Sequence, residues 1–532
     1  MKHIKKESFI KGILILFASQ MIIKLLGLVY RVVITNLDGF GDDGNSYYGA
    51  AYQIYTVILA IATVGIPSAM SKLVAEKVAI GNTKGAHKIY RTGLYLFSCI
   101  GLVCTLLMIV FAPAMARYVK NPGLEYSLWA LAPSVLLVAI SSVIRGYFQG
   151  YCNMRPQAVS QVIDQVVKCI FTILLAIAFV GRDAKIMAAA ATLGATIGTT
   201  VSMFYLIFYY GFKRKELKKL ILESENDEIE ERRRTIVKKI ISLSIPISFG
   251  AVITSMAGMV NLLTVMPRLL TIPGMTNESA RAMYGIISGK SDTLLNLPLA
   301  INIAFATSLV PNISAALAVN DKKGAAKKIG FSIFSTILIV LPAAVGISVL
   351  SDPLIKMLFP NAPEGGFYLA VSAYAVVFMA LSQTLNGSLQ GMGKVYIPAI
   401  AIIIGAVIKY ISNYILVAIP EINMMGAAYS TIICYFVAAM ISFVALSRQL
   451  ELKLSFTKIV IKPIIAVIAM GAAAYYSHYY LLGLVGSNAI ATLLAIGIAI
   501  IVYGIMLLAL NVFDREELAR IPVINKFLAK KS

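Results

Sequence analysis

Fourteen mostly apolar stretches, each long enough to cross a bilayer, constrain this chain more than any other feature. A membrane helix needs about 20 such residues, because each backbone N–H and C=O in hydrocarbon must be satisfied inside its own segment. The stretches lie near 9–35, 46–76, 91–111, 124–148, 157–181, 185–212, 240–266, 283–315, 328–350, 367–390, 396–419, 424–447, 459–481 and 486–511. The expected fold is therefore an all-α polytopic membrane protein with about 14 transmembrane helices. Connections are short except 213–239, a densely charged segment that reads as a partly helical loop. The start, MKHIKKESFIKGILILFASQ, resembles a signal peptide, but no small-residue cleavage site follows and the apolar run continues to Arg31. It reads as a retained first helix.

Composition narrows the function classes. Hydrophobic residues make up 59% of the chain and charged residues 14%, which excludes a soluble multidomain enzyme, a disordered chain and a disulfide scaffold. The five cysteines form no CxxC pair and lie in or beside apolar runs, so packing is their expected role. His3, His87 and His478 are scattered, and no HExxH, GxSxG or P-loop sequence occurs. The acidic segment with Asp38, Asp42 and Asp43 fits no EF-hand spacing and reads as solvated loop. No cofactor or metal is expected, and the chain reads as a transporter rather than an enzyme such as a membrane-embedded glycosyltransferase.

The net charge of +22 first suggests nucleic acid. Its distribution says otherwise. With the N-terminus inside, 34 of the 47 Lys and Arg fall on inside segments, ten of them in 213–239 and five in the C-terminal tail. Seven fall outside, and six lie within the apolar stretches or at their edges. The positive-inside rule then places both termini in the cytoplasm, in a plasma membrane, with no nucleic-acid partner expected.

The chain also repeats itself. RGYFQG at 145–150 matches NGSLQG at 386–391, with Gly146, Gln149 and Gly150 each 241 positions before Gly387, Gln390 and Gly391. Lys168 and Lys409 are likewise 241 apart, and KGAHK at 84–88 matches KGAAK at 323–327. Six helices per repeat make a parallel repeat that encloses a central cavity. The expected organisation is a first repeat at 1–212, the charged loop 213–239, a second repeat at 240–450, an accessory helix pair at 451–511 and a basic tail at 512–532. Pro67, Pro246, Pro298 and Pro311 offer places for helices to bend.

Charges inside apolar stretches are costly, about 2.5–3.5 kcal/mol each at the bilayer centre on insertion scales, and they normally face a wet cavity or a partner. Gln20, Lys24, Gly27 and Arg31 are spaced to share one face of the first helix. Gln161, Asp164, Gln165 and Lys168 form a second stripe, in which Asp164 and Lys168 are placed to pair at i,i+4. Lys290, Asp292 and Asn296 lie on the eighth stretch, Lys409 and Asn413 on the eleventh, and Asn261 on the seventh. The candidate cavity residues are Lys24, Arg31, Asp164, Lys168, Lys290, Asp292 and Lys409. Lys24 and Arg31 have no acid on their face, so an anionic substrate is expected, with Arg suited to a phosphate fork. A lipid-linked anion keeps its headgroup in the wet cavity and its tail in lipid.

The segments GIPSAMSKLVAE (65–76), SSVIRGYFQGYCNMRPQAVSQVIDQVVK (141–168) and LNLPLAINIAFATSLVPNIS (295–314) resemble the MurJ and stage V sporulation protein B group. These are polysaccharide-biosynthesis flippases of the multidrug/oligosaccharidyl-lipid/polysaccharide exporter superfamily. The resemblance covers essentially the whole chain, as six, six and two helices. It implies transbilayer movement of undecaprenyl-pyrophosphate-linked sugars, with lipid II the leading substrate, membrane lipids as partners, and a monomer working near cell-wall synthesis enzymes. It also implies cavity cations on helices 1, 2 and 8, and a tail groove at the last two helices. Lys24 and Arg31 in KLLGLVYR fit that pattern, as does Asp292. The second helix, AYQIYTVILAIATVG, carries no basic residue, and Thr293 stands where a neighbouring Arg is expected. Coupling to Na+, H+ or membrane potential is left open. A cation-coupled multidrug exporter of the same superfamily is the alternative, with Asp164 and Asp292 as its membrane carboxylates.

Overall fold

A computed structural model describes residues 9–60, 62, 65–222, 231–318, 320–394, 396–450, 452 and 455–512, and no strand occurs among them. The basic start with His3, the middle of the charged loop and the tail 513–532 lie outside the described residues. The first part contains α1 (Phe9–Thr35), α2 (Gly41–Ala60), α3 (Ile66–Ala79), α4 (Thr83–Tyr118), α5 (Leu124–Gly150), α6 (Arg155–Ala178), α7 (Ala184–Leu222) and α8 (Arg233–Leu269). Then follow α9 (Asn277–Gly285), a π-helical turn at Ile286–Ser291 and α10 (Asp292–Ala318). The remainder is α11 (Lys322–Val349), α12 (Ser351–Leu358), α13 (Gly366–Gly391), α14 (Tyr396–Leu416), α15 (Met425–Ser447), α16 (Lys462–Val485) and α17 (Asn488–Ala509).

Among the described residues, fourteen of these helices have 20 residues or more, matching the number of apolar stretches. Ten are long and apolar enough to cross a membrane by length and composition. Large apolar side chains stay exposed along them, as Phe208, Ile468 and Ile500 do, which suits a surface facing lipid rather than water. The chain is a multi-pass membrane protein.

One stretch differs from expectation and another is only partly described. Along 46–76, α2 ends at Ala60 and α3 starts at Ile66; Ala62 and Gly65 between them are π-helical, and Pro67 lies in the first turn of α3, where a missing N–H leaves no helical bond unmade. The run 283–315 is interrupted by the π-helical turn. Pro246, Pro298 and Pro311 lie inside helices that continue past them. The acidic segment is also not all loop. Asp42 and Asp43 stand in the first turn of α2, where the helix dipole favours carboxylates. The charged loop is helical at both described ends, since α7 runs to Leu222 and α8 begins at Arg233.

The helices gather into two compact units. One contains Met1–Ala300 with Ile402–Ser430, and the other contains Ile301–Ala401 with Thr431–Ser532. In the first, α1 packs on α6, α6 on α7, and α5 on α3, α4 and α7. Its core is built around Met70, Val74, Phe97, Val143, Tyr147 and Ile240. At one end of this unit Glu231 accepts from Lys77 at 3.1 Å and Lys239 at 2.8 Å, joining α3 to α8. In the second unit, Ile313, Ile329, Leu385 and Leu389 form a core between α10, α11 and α13. There α16 pairs with α17 through small residues, including Ala474, Ala495 and Ala499.

The repeat has a local physical basis in each unit. In the first, a Cβ on Gly146 would stand 2.9 Å from the Pro67 carbonyl oxygen, and one on Gly150 3.0 Å from that of Ser71. In the second, a Cβ on Gly387 would meet the Ala306 oxygen at 2.5 Å, and one on Gly391 the Val310 oxygen at 2.9 Å. Both glycine pairs therefore let a helix backbone lie against its neighbour. The KGA motifs match for a related reason. Asn82 accepts from the Gly85 N–H at 2.6 Å, and Asp321 from the Gly324 N–H at 2.7 Å, so each caps the helix that follows.

Gly146→Ala and Gly387→Ala are each expected to cost about 1–3 kcal/mol through overpacking. Gly483→Ala, in open space, is expected to be neutral. Thermal unfolding of the purified protein in detergent, followed by far-UV circular dichroism, reads the difference. Equal melting temperatures for all three variants contradict the close-approach explanation.

Candidate functional site

The two polar stripes meet. Gln20 on α1 donates to Gln161 on α6 at 3.2 Å, and a Cβ on Gly27 would lie 3.9 Å from the Gln165 amide. That is an ordinary contact distance, so α1 and α6 pack side by side at the level of the charges without requiring glycine at position 27. Lys24, one turn away, is half-buried and has no hydrogen-bond or ion-pair partner among the described residues. Its electrostatic neighbours are Tyr30 and Lys168.

Arg31 is buried. Its Nη1 donates to Asn45 Oδ1 at 3.0 Å, and its Cζ lies 4.5 Å from the Tyr48 ring centre. Thr35, one turn on, exchanges hydrogen bonds with the same Asn45 and fixes its orientation. Lys168 is buried as well. Its Nζ lies 4.0 Å from the Tyr52 ring centre and 5.1 Å from that of Tyr30, and it donates to the Tyr52 hydroxyl. Tyr48 and Tyr52 stack in parallel, centroids 5.4 Å apart, because i,i+4 spacing puts them one turn apart on α2.

The expected Asp164–Lys168 pair is not formed. Lys168 reaches across to α2, and Asp164 accepts from Thr199 of α7 at 3.3 Å. The buried lysine gains the Tyr52 ring and hydroxyl from α2 and the Tyr30 ring from α1, which its own helix does not offer. Arg145, near the end of the 124–148 stretch, is buried as well. It donates to Ser160 at 2.9 Å and Ser202 at 3.1 Å, with Asp164 as an electrostatic neighbour. Its only sequence signal is the repeat motif in which it stands.

Lys290 has a different character. It is fully buried and makes an ion pair with Asp42 at 2.8 Å, so its charge is matched by a carboxylate. Close contacts surround this pair: a Cβ on Gly289 would strike Asn45, and one on Gly285 the Asp42 carbonyl. Asp292, the next charge along, has Lys409 and Arg31 as electrostatic neighbours. Lys409 is buried on α14. Asn413, one turn on, donates to Asn261 at 3.1 Å and Thr264 at 2.9 Å, which ties α14 to α8.

All seven candidate residues therefore belong to the first unit, but they are not equivalent. Arg31, Lys168 and Arg145 are buried and held by neutral partners: amide, hydroxyls and ring faces. Among the described residues none of the three has a carboxylate within ion-pair distance. Lys24 is open to a ligand. Lys290 is the structural member of the set. Cations held in this way are suited to a polyanion.

Removing one partner of the Lys290–Asp42 pair leaves a buried charge unmatched, at a cost of roughly 3–5 kcal/mol. Asp42→Asn and Lys290→Met are each expected to lower the melting temperature strongly, and the double variant to recover most of the loss. Additive losses in the double variant contradict a structural ion pair.

Residues 9–317 match the family model described as polysaccharide biosynthesis protein, and residues 289–415 match MatE. Stage V sporulation protein B of Bacillus subtilis (strain 168) is 28% identical, over 99% of this chain and 100% of that protein. Lipid II flippase MurJ of the same organism is 26% identical over 83% of each chain. A solved structure of lipid II flippase MurJ in an inward closed conformation covers 92% of this chain and 98% of its own. Its TM-score is 0.67 and its identity 17%, a likeness of fold. A family model spanning more than half of the sequence settles its membership: the chain belongs to the polysaccharide biosynthesis protein family.

Proposed function

We propose that this protein moves a lipid-linked anionic saccharide from the inner to the outer leaflet of a bacterial plasma membrane by alternating access. Lipid II is the leading candidate. Lys24, Arg31 and Lys168 receive the pyrophosphate, while Asp292 and Lys409 flank the site. One observation carries this: the buried cations are held by neutral groups, so their charge is left for a substrate to neutralise. Support also comes from the relatives, one of which is named a lipid II flippase.

In this mechanism Asn45 and Thr35 orient the Arg31 guanidinium, and the tyrosines orient the Lys168 ammonium. The headgroup meets cations already stripped of water, so little reorganisation is needed on binding. The polyprenyl tail stays in lipid. The protein acts as a monomer with both termini cytoplasmic, and it needs no bound cofactor. An inside-negative membrane potential favours outward movement of an anion by about 2.3 kcal/mol per charge per 100 mV. Coupling to Na+ or H+ is the alternative drive.

A charge-assisted hydrogen bond contributes roughly 1.5–3 kcal/mol, so Lys24→Ala and Arg31→Ala should each lower flipping about tenfold or more. The measurement is lipid II exposure on the outer face of cells that depend on this protein, with expression checked by blot. Unchanged exposure at equal expression overturns the assigned roles. The MatE match and the carboxylates Asp164 and Asp292 favour a second reading, a multidrug exporter. Export of cationic dyes driven by a proton or sodium gradient, with no effect on lipid II, establishes that one instead.

A further inference from the structure

The tyrosines of α2 have a part in this site that the spacing of charges does not reveal. Tyr48 and Tyr52 form one parallel plate, 5.4 Å between centres and 6° apart. Arg31 from α1 lies over the first ring at 4.5 Å, and Lys168 from α6 over the second at 4.0 Å. The hydroxyl of Tyr48 donates to that of Tyr30 at 3.4 Å, and the Tyr30 ring flanks the Lys168 ammonium in turn. Two cations from two helices are therefore fixed on a third helix that has no charge of its own between Asp43 and Gly65.

An aromatic face attracts a cation through its quadrupole and carries no net charge. A carboxylate in the same place would also hold the cation but would cancel it. The same unit contains that alternative, because Asp42 holds Lys290 as an ion pair. The difference separates Lys290, paired with a carboxylate, from Arg31 and Lys168, held on ring faces.

We propose that Tyr48 and Tyr52 are positioning residues that set the selectivity of the site for a lipid bearing phosphate or pyrophosphate over an uncharged lipid. They do so by immobilising Arg31 and Lys168 without neutralising them. This rests on the flippase function proposed above and deepens it.

The test uses the full chain in detergent, with binding of three probes measured by native mass spectrometry: undecaprenyl pyrophosphate, undecaprenol and inorganic pyrophosphate. The wild type is expected to prefer undecaprenyl pyrophosphate over undecaprenol by about tenfold or more. Tyr52→Glu places a carboxylate beside Lys168 and should reduce that preference at least about tenfold. Tyr52→Gln still hydrogen-bonds the ammonium without charge and should keep the preference within about threefold. A role in packing alone changes affinity for both lipids together and leaves their ratio intact. Tyr48→Glu, beside Arg31, repeats the test independently if Tyr52→Glu does not fold. A wild-type ratio in folded Glu variants overturns the positioning role while leaving the flippase function standing. No preference in the wild type overturns the flippase function itself, and the positioning role with it. Inorganic pyrophosphate should bind at least about tenfold more weakly than the lipid, since it lacks the buried tail. Equal binding assigns the site to the free anion and overturns the lipid assignment.

Discussion

A positive charge taken out of water must be compensated, and how each buried cation of this protein meets that requirement organises the rest of the structure. Desolvation of an ion is worth several kcal/mol even after relaxation. Lys290 meets it with a carboxylate, and the surrounding glycines, Gly285 and Gly289, bring α2 close enough for the pair to form. Arg31 and Lys168 meet it only in part, with an amide, a hydroxyl and aromatic faces. Those two are consequently where an anion gains most from binding. The helix arrangement of the first unit follows: α1 packs on α6, and α2 presents its tyrosines to the cations of both.

The repeat shows how the requirement is distributed along the chain. Arg145 on α5 donates to Ser202 on α7. At the matching positions of the second repeat, Asn386 on α13 accepts from Ser442 on α15 at 3.1 Å. The hydrogen bond persists while the charge is replaced by an amide. The glycine contacts behave oppositely and are kept in both units, because a backbone pressed against a carbonyl leaves no room for a side chain. Packing is thus duplicated, and charge at this position is confined to the first repeat.

Much of this was readable from residue spacing. Helix lengths follow from apolar runs, and the stripes on α1 and α6 follow from three- and four-residue steps, which fix a helix face regardless of tertiary context. The glycine repeat is visible because matched contacts demand matched residues. What was not readable depends on contacts between distant residues. Lys290 and Asp42 are 248 positions apart, and Lys168 and Tyr52 are 116 apart, so no local pattern announces either. Asp164 and Lys168 illustrate the same limit in reverse: their i,i+4 spacing permits a pair, and both instead contact partners on other helices. The π-helical turn at Ile286–Ser291 was hidden because the apolar run continues through it. The burial of Arg145 was hidden because its serine partners lie on two other helices.

The central claim is that an anionic lipid headgroup completes the charge of Arg31, Lys168 and Lys24. The most direct measurement is a cryo-electron microscopy structure of the full chain in lipid nanodiscs with undecaprenyl pyrophosphate added. The expected result is phosphate density within hydrogen-bond distance of Arg31 and Lys24, with Lys168 still on Tyr52. Phosphate bound elsewhere, with a protein carboxylate such as Asp292 closed onto Arg31, contradicts it.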